Sequence, residues 1–171
     1  ICAQQFANEI HCIGVIGTGL QARMQVEYLK KITVCRKVMV WGRNSKKSKE
    51  YSSYMMKLGF EVRICDSPKY IMDSCNLIIT TTAATEPILF TDDIQPGTHI
   101  TAMGSDTPAK QELDSNILGK ADCVIADSIS QCIERGEISH AIKDGKLTKN
   151  NIVELGHVLN GQHPGRTSQD Q

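Results

Sequence analysis

An uninterrupted apolar run, Ile13-Gly14-Val15-Ile16, ends in Gly17-Thr18-Gly19-Leu20-Gln21-Ala22, and apolar residues then recur at Ala22, Val26, Leu29 and Ile32. The first run reads as a buried strand and the second as one face of a helix with a 3.6-residue period. A strand, a glycine turn and a helix in direct succession leave few folds open. If the next strand lies parallel to the first, the helix is the crossover that the pairing requires.

The alternation continues along the chain. Val38 to Trp41 reads as a second strand, and a polar turn at Gly42 to Ser45 leads into a helix carrying Tyr51, Tyr54, Met55 and Leu58, stopped at Gly59. Phe60 to Cys65, Leu77 to Thr81, His99 to Met103 and Cys123 to Ala126 read as four further strands, with a short helix around Ser67 to Asp73. After the sixth strand, Ile129, Cys132 and Ile133 form another helical stripe. Asn151 followed by Glu154 resembles an N-cap that opens a last helix through Leu159. Strands that alternate with helices predict an α/β fold: a doubly wound parallel sheet with helices on both faces, three layers α/β/α. Six strands in one sheet fit the Rossmann dinucleotide fold. The expected domain covers residues 1–160, with 161–171 as a C-terminal linker.

Composition narrows the function classes. Lys and Arg total 19 against 19 Asp and Glu, so no net charge directs the chain to nucleic acid or an anionic membrane. The local basic groups at residues 30–37 and 43–49 carry no interleaved aromatic platform for bases. No apolar stretch is long enough to span a bilayer. The seven cysteines form no C-x-x-C pair or finger spacing, so neither a disulfide framework nor a zinc site is expected, and the five histidines show no ligand spacing. Cysteines embedded in apolar runs behave as small hydrophobes in a reducing cytosol, which makes a cytoplasmic location the expectation. Ile1 in place of a methionine and the polar end at Thr167 to Gln171 are read as marks of an excerpt from a longer polypeptide.

The first turn carries the chemistry most plainly. In a G-x-G-x-x-A loop, Gly17 permits the tight turn, Gly19 lets the backbone approach a pyrophosphate, and Ala22 lets the helix pack on its strand. Thr18, Leu20 and Gln21 complete the loop, and the helix N-terminus offers free N–H groups and partial positive charge to phosphate. A site for NAD normally places Asp or Glu at the end of the second strand, to bind the ribose hydroxyls. That place holds Gly42-Arg43-Asn44-Ser45, followed by Lys46 and Lys47. Arg43 can pair with a 2′-phosphate, stack on adenine, or do both. NADP(H) is therefore the preferred cofactor, with NAD(H) possible.

The run Gly97-Thr98-His99-Ile100-Thr101-Ala102-Met103-Gly104-Ser105-Asp106-Thr107-Pro108-Ala109-Lys110-Gln111-Glu112-Leu113-Asp114 resembles the signature segment of the ornithine cyclodeaminase/mu-crystallin family. Gly17 to Arg23, Thr80 to Leu89, Glu154-Leu155-Gly156 and Gly161 to Ser168 resemble that family as well, so the likeness covers essentially the whole chain. It implies a nicotinamide oxidoreductase acting on the C–N bond of amino or imino acids, such as an ornithine cyclodeaminase, alanine dehydrogenase, ketimine reductase or opine-type synthase. It implies further that Asp106 is the catalytic acid/base and that Met103, Gly104 and Ser105 lie beside the nicotinamide ribose. Thr81, Thr82 and Ala83 are then a cofactor-touching loop, and Lys110 a basic residue near it. Read from the residues alone, Asp106 is an ordinary turn residue. The family's substrate-binding N-terminal domain has no counterpart here, and His157 stands where an acidic residue is expected. A small amino or imino acid substrate and a homodimeric full-length protein are the implied partners. The alternative from another class is a mu-crystallin-like protein that binds NADP(H) and small ligands with little turnover.

Overall fold

The computed structural model describes residues 1–171, the side chain of Asp93 excepted. The chain divides into two compact units: Ile1–Thr82 with Asp93–Met103, and Ala83–Asp92 with Gly104–Gln171.

The first unit contains α1 (Cys2–Phe6), β1 (Ile13–Ile16), α2 (Leu20–Leu29), β2 (Lys37–Trp41), α3 (Ser45–Lys57), β3 (Glu61–Ile64), α4 (Lys69–Ser74), β4 (Leu77–Thr80) and β5 (His99–Ala102). Five strands pair in the order β3-β2-β1-β4-β5, all parallel. The two central strands β1 and β4 are buried at every position, which is why they read as unbroken apolar runs. β3 lies at the edge, and there Glu61 and Arg63 are exposed. Ile16 pairs with Trp41 on one side and Thr80 on the other, and Thr80 pairs with Ala102, so four strands end level at one edge.

Alternation along β1 assigns its two faces. Ile13 and Val15 pack into a core with Val26 of α2 and with Tyr51 and Met55 of α3. Gly14 points the other way, onto α4, where a Cβ would stand 2.3 Å from Ile71 Cγ2. Helices therefore cover both faces of the sheet, as expected for a doubly wound three-layer α/β/α fold. The Tyr51 hydroxyl donates to the Ala22 carbonyl at 3.4 Å, and that of Tyr54 to Glu27 at 2.8 Å, fastening α3 to α2.

The second unit contains α5 (Ser115–Lys120), β6 (Val124–Ala126), α6 (Ile129–Cys132), α7 (Glu137–Lys143), β7 (Ile152–Glu154) and α8 (Leu155–Leu159). Here the structure corrects the sequence reading twice. The sixth strand does not extend the sheet; β6 pairs in parallel with β7 in a separate two-stranded sheet. Asn151 does not open a helix either. It closes a 3-10 turn, Lys149–Asn151, and the next three residues are strand. β-Branched Ile152 and Val153 favour the extended state, and β6 supplies the partner that satisfies their backbone groups. Only Leu155–Leu159 is helical, with His157 exposed.

Candidate cofactor and active site

The level carboxyl edge of the five-stranded sheet is where the predicted cofactor residues of the first unit collect. The strand order reverses between β1 and β4, and in open parallel sheets that switch point is where ligands bind. Gly17 leaves β1 with φ of 118°, a conformation disfavoured for any residue with a side chain, and a Cβ there would lie 2.6 Å from Thr81 Oγ1. Backbone bonds fasten the neighbouring loops: Gly17 N–H donates to Trp41 O at 2.9 Å, Thr81 N–H to Ile16 O at 2.9 Å, and Met103 N–H to Thr80 O at 2.9 Å.

Gly19 caps α2 without a side-chain bond, and among the described residues no atom beyond the adjoining chain lies within 4 Å of the place its Cβ would occupy. Open space beside the first N–H groups of a ten-residue helix fits a pyrophosphate. Leu20 and Gln21 are exposed on that first turn, while Ala22 is fully buried against the sheet. Thr18 turns its methyl toward Gly42, where a Cβ would lie 2.8 Å away. The loop after β1 and the loop after β2 are thus in direct contact.

Arg43 is exposed and makes no ion pair or hydrogen bond among the described residues. Asn44, predicted to touch the cofactor, also caps α3, its Oδ1 accepting the Lys47 N–H at 3.0 Å. Thr81 and Thr82 are half-buried, and Met103 is 46% exposed. The residues present therefore fit a dinucleotide on geometric grounds: an obligatory glycine, a second glycine facing space, and an available cation at the end of β2.

Ala83, Gly104, Ser105, Asp106 and Lys110 belong to the second unit. Ala83 is exposed. Residues 104–110 form a loop in which the Ser105 hydroxyl donates to the Lys110 carbonyl and the Lys110 ammonium meets Asp106 Oδ1 at 2.5 Å. The Asp106 side chain is 69% exposed. The hydrogen bond from Lys110, with the ammonium charge behind it, holds the Asp106 carboxyl below the usual carboxylate range. Asp106 is thus an ionised group whose second oxygen can take up a proton from solvent or from a substrate.

Two residues of this loop's support escaped the sequence reading. Glu112 is fully buried and its Oε2 accepts the Gly104 N–H at 2.9 Å. Glu137, at the start of α7, is 8% exposed; its carboxylate accepts the Glu112 N–H at 2.8 Å and the Leu113 N–H at 3.1 Å. Burial pushes the Glu137 carboxyl up to about 7, against the opposing effect of those two donors. Its one sequence signal is the pair Gly136-Glu137 ahead of a helix, which reads equally well as a solvated first turn.

An uncharacterised cyclodeaminase of Sinorhizobium fredii is 34% identical to this chain over 155 residues, 90% of this chain and 47% of the relative. Among solved structures, an archaeal alanine dehydrogenase dimer with bound NAD gives a TM-score of 0.93 at 31% identity, covering 99% of this chain and 53% of that one. The Delta(1)-pyrroline-2-carboxylate reductase of Thermococcus litoralis, in complex with NADH and L-proline, gives 0.91 at 27% identity, covering 99% and 54%. The chain spans about half the length of the relatives it matches. The family model for the ornithine cyclodeaminase/mu-crystallin family matches residues 6–171, and the chain belongs to that family.

Proposed function

We propose that this chain is the dinucleotide-binding part of an oxidoreductase that acts at the C–N bond of an amino acid or its imine. The observation that carries the reading is the level sheet edge, where Gly17 excludes a side chain and Gly19 faces room for a pyrophosphate. Gly17 to Gln21 would hold the pyrophosphate, Arg43 and Asn44 the adenosine ribose and its 2′-phosphate, and Thr81, Thr82 and Met103, all of the first unit, the nicotinamide ribose. When bound, the nicotinamide supplies or takes up a hydride at the α-carbon of the substrate.

Asp106 moves the proton that accompanies this change. Ionised at rest, it accepts a proton from the amine nitrogen or an attacking water, and in the reverse direction returns it. Lys110 keeps the carboxylate ionised and limits its rotation. The relatives with bound nicotinamide carry NAD and NADH. The preference proposed here for NADP(H) rests on Arg43, with NAD(H) as the alternative cofactor. A small amino or imino acid substrate and a homodimer accord with the proline-bound reductase and the dimeric dehydrogenase. Residues 1–160 serve as the NAD(P)-binding domain, with residues 161–171 as a linker after it. A cytoplasmic setting accords with Cys35 and Cys65, which are buried as small apolar side chains.

Asp106→Asn in the full-length enzyme tests the proposal. Asparagine keeps the size and most turn bonding but cannot titrate, so the rate should fall about 10²- to 10⁴-fold while cofactor affinity changes little. A folded, cofactor-bound variant with near-normal turnover refutes the assignment.

A further inference from the structure

Asp106 rides on an exposed turn, and catalysis by proton transfer needs its carboxylate held to within a fraction of an ångström. Within the second unit, the backbone that carries it is fastened by Glu112 and Glu137. Gly104 N–H, at the start of the loop, donates to Glu112 Oε2; the N–H groups of Glu112 and Leu113, at its end, donate to the two oxygens of Glu137. Glu112 is thus held by Glu137 through its backbone while it holds Gly104 through its side chain. Gly136, with φ of 83°, stands where a Cβ would lie 2.9 Å from the Ser105 carbonyl oxygen, so the N-terminus of α7 abuts the same loop. Burying two carboxylates is costly. A loop needing only to stay folded could use neutral side chains.

We propose that Glu112 and Glu137 are positioning residues, a two-step carboxylate clamp that fixes the backbone of residues 104–113 and thereby the placement of Asp106. This rests on the functional reading above. The chemistry of the clamp is specific. A carboxylate offers two acceptors, whereas an amide offers one acceptor and one donor. Glu137→Gln therefore sets an N–H against an N–H at one of the two bonds, with almost no change in volume. Glu112→Gln has one bond to keep and can rotate its oxygen onto Gly104, so its effect should be the smaller of the two.

The test is made on the full-length enzyme at pH 8, where Glu137 is mostly ionised, with Asp106→Asn as control. Glu137→Gln should lower kcat at least tenfold and Glu112→Gln several-fold, with NADPH affinity within about threefold of wild type. The acid limb of the pH–rate profile, which belongs to Asp106, should shift. A role confined to stability would lower the melting temperature but leave kcat per folded molecule and the acid limb unchanged, and that result overturns the proposal. If the variants do not fold, amide exchange in the wild-type chain decides. Joint protection of Gly104, Glu112 and Leu113 supports the clamp, and exchange at free-chain rates overturns it. Normal turnover by Asp106→Asn would instead remove the functional reading, an outcome separable from the clamp because the amide measurement does not depend on turnover.

Discussion

Lys110 and Asp106 are both solvent-accessible, so their ion pair contributes little to stability; its consequence is for proton affinity. The Lys110 hydrogen bond lowers the Asp106 pKa, and Lys110→Met should let it rise. The acid limb of the kcat/KM profile should then move to higher pH, and an unmoved limb would separate Lys110 from the reacting carboxylate. Glu137 titrates in the opposite sense. Its folded value of about 7 lies above the ordinary 4.5, so between these values the folded chain holds a proton that the unfolded chain has lost. Stability is therefore greatest at the acid end of this window and declines as pH rises from about 4.5 to about 7, by on the order of 3 kcal/mol. Urea denaturation across that range should show the decline for wild type and a flatter course for Glu137→Gln.

Close approach between elements sets the tolerance of the sheet to substitution. Gly14 faces α4 at the distance of a missing methyl group, so Gly14→Ala must displace Ile71 or the helix that carries it, and chemical denaturation should show a loss of about 1–3 kcal/mol. A fully stable Gly14→Ala would mean that α4 is not packed on β1 as described. β1, β2 and β4 were legible in the sequence because strands buried between neighbours need apolar side chains on both faces, while β5, at the other edge, was read from a mixed run that is only half-buried. β7 was not: three residues, Ile152 to Glu154, are too few to show a period, and Asn151 with Glu154 imitates a helix start. The glycine turn was legible because its chemistry is local. Glu112 and Glu137 were hidden because a charged residue reads as solvated until its burial and its N–H partners are seen.

For the whole molecule, the 171 residues spanning about half of their relatives should bind cofactor without turning over an amino acid, since hydride transfer needs the substrate held in contact with the nicotinamide. Amino-acid-dependent NADP(H) turnover by these residues alone would show that they hold a complete substrate site. Fluorescence titration of the same chain with NADPH and NADH, repeated for Arg43→Ala, tests the central claim most directly. A charge-assisted bond to the 2′-phosphate contributes roughly 1.5 to 3 kcal/mol, so NADPH should bind about tenfold or more tightly than NADH, and Arg43→Ala should erase the difference. Equal affinities, or a preference untouched by Arg43→Ala, would contradict the phosphate assignment. Failure to bind either dinucleotide would contradict the account as a whole.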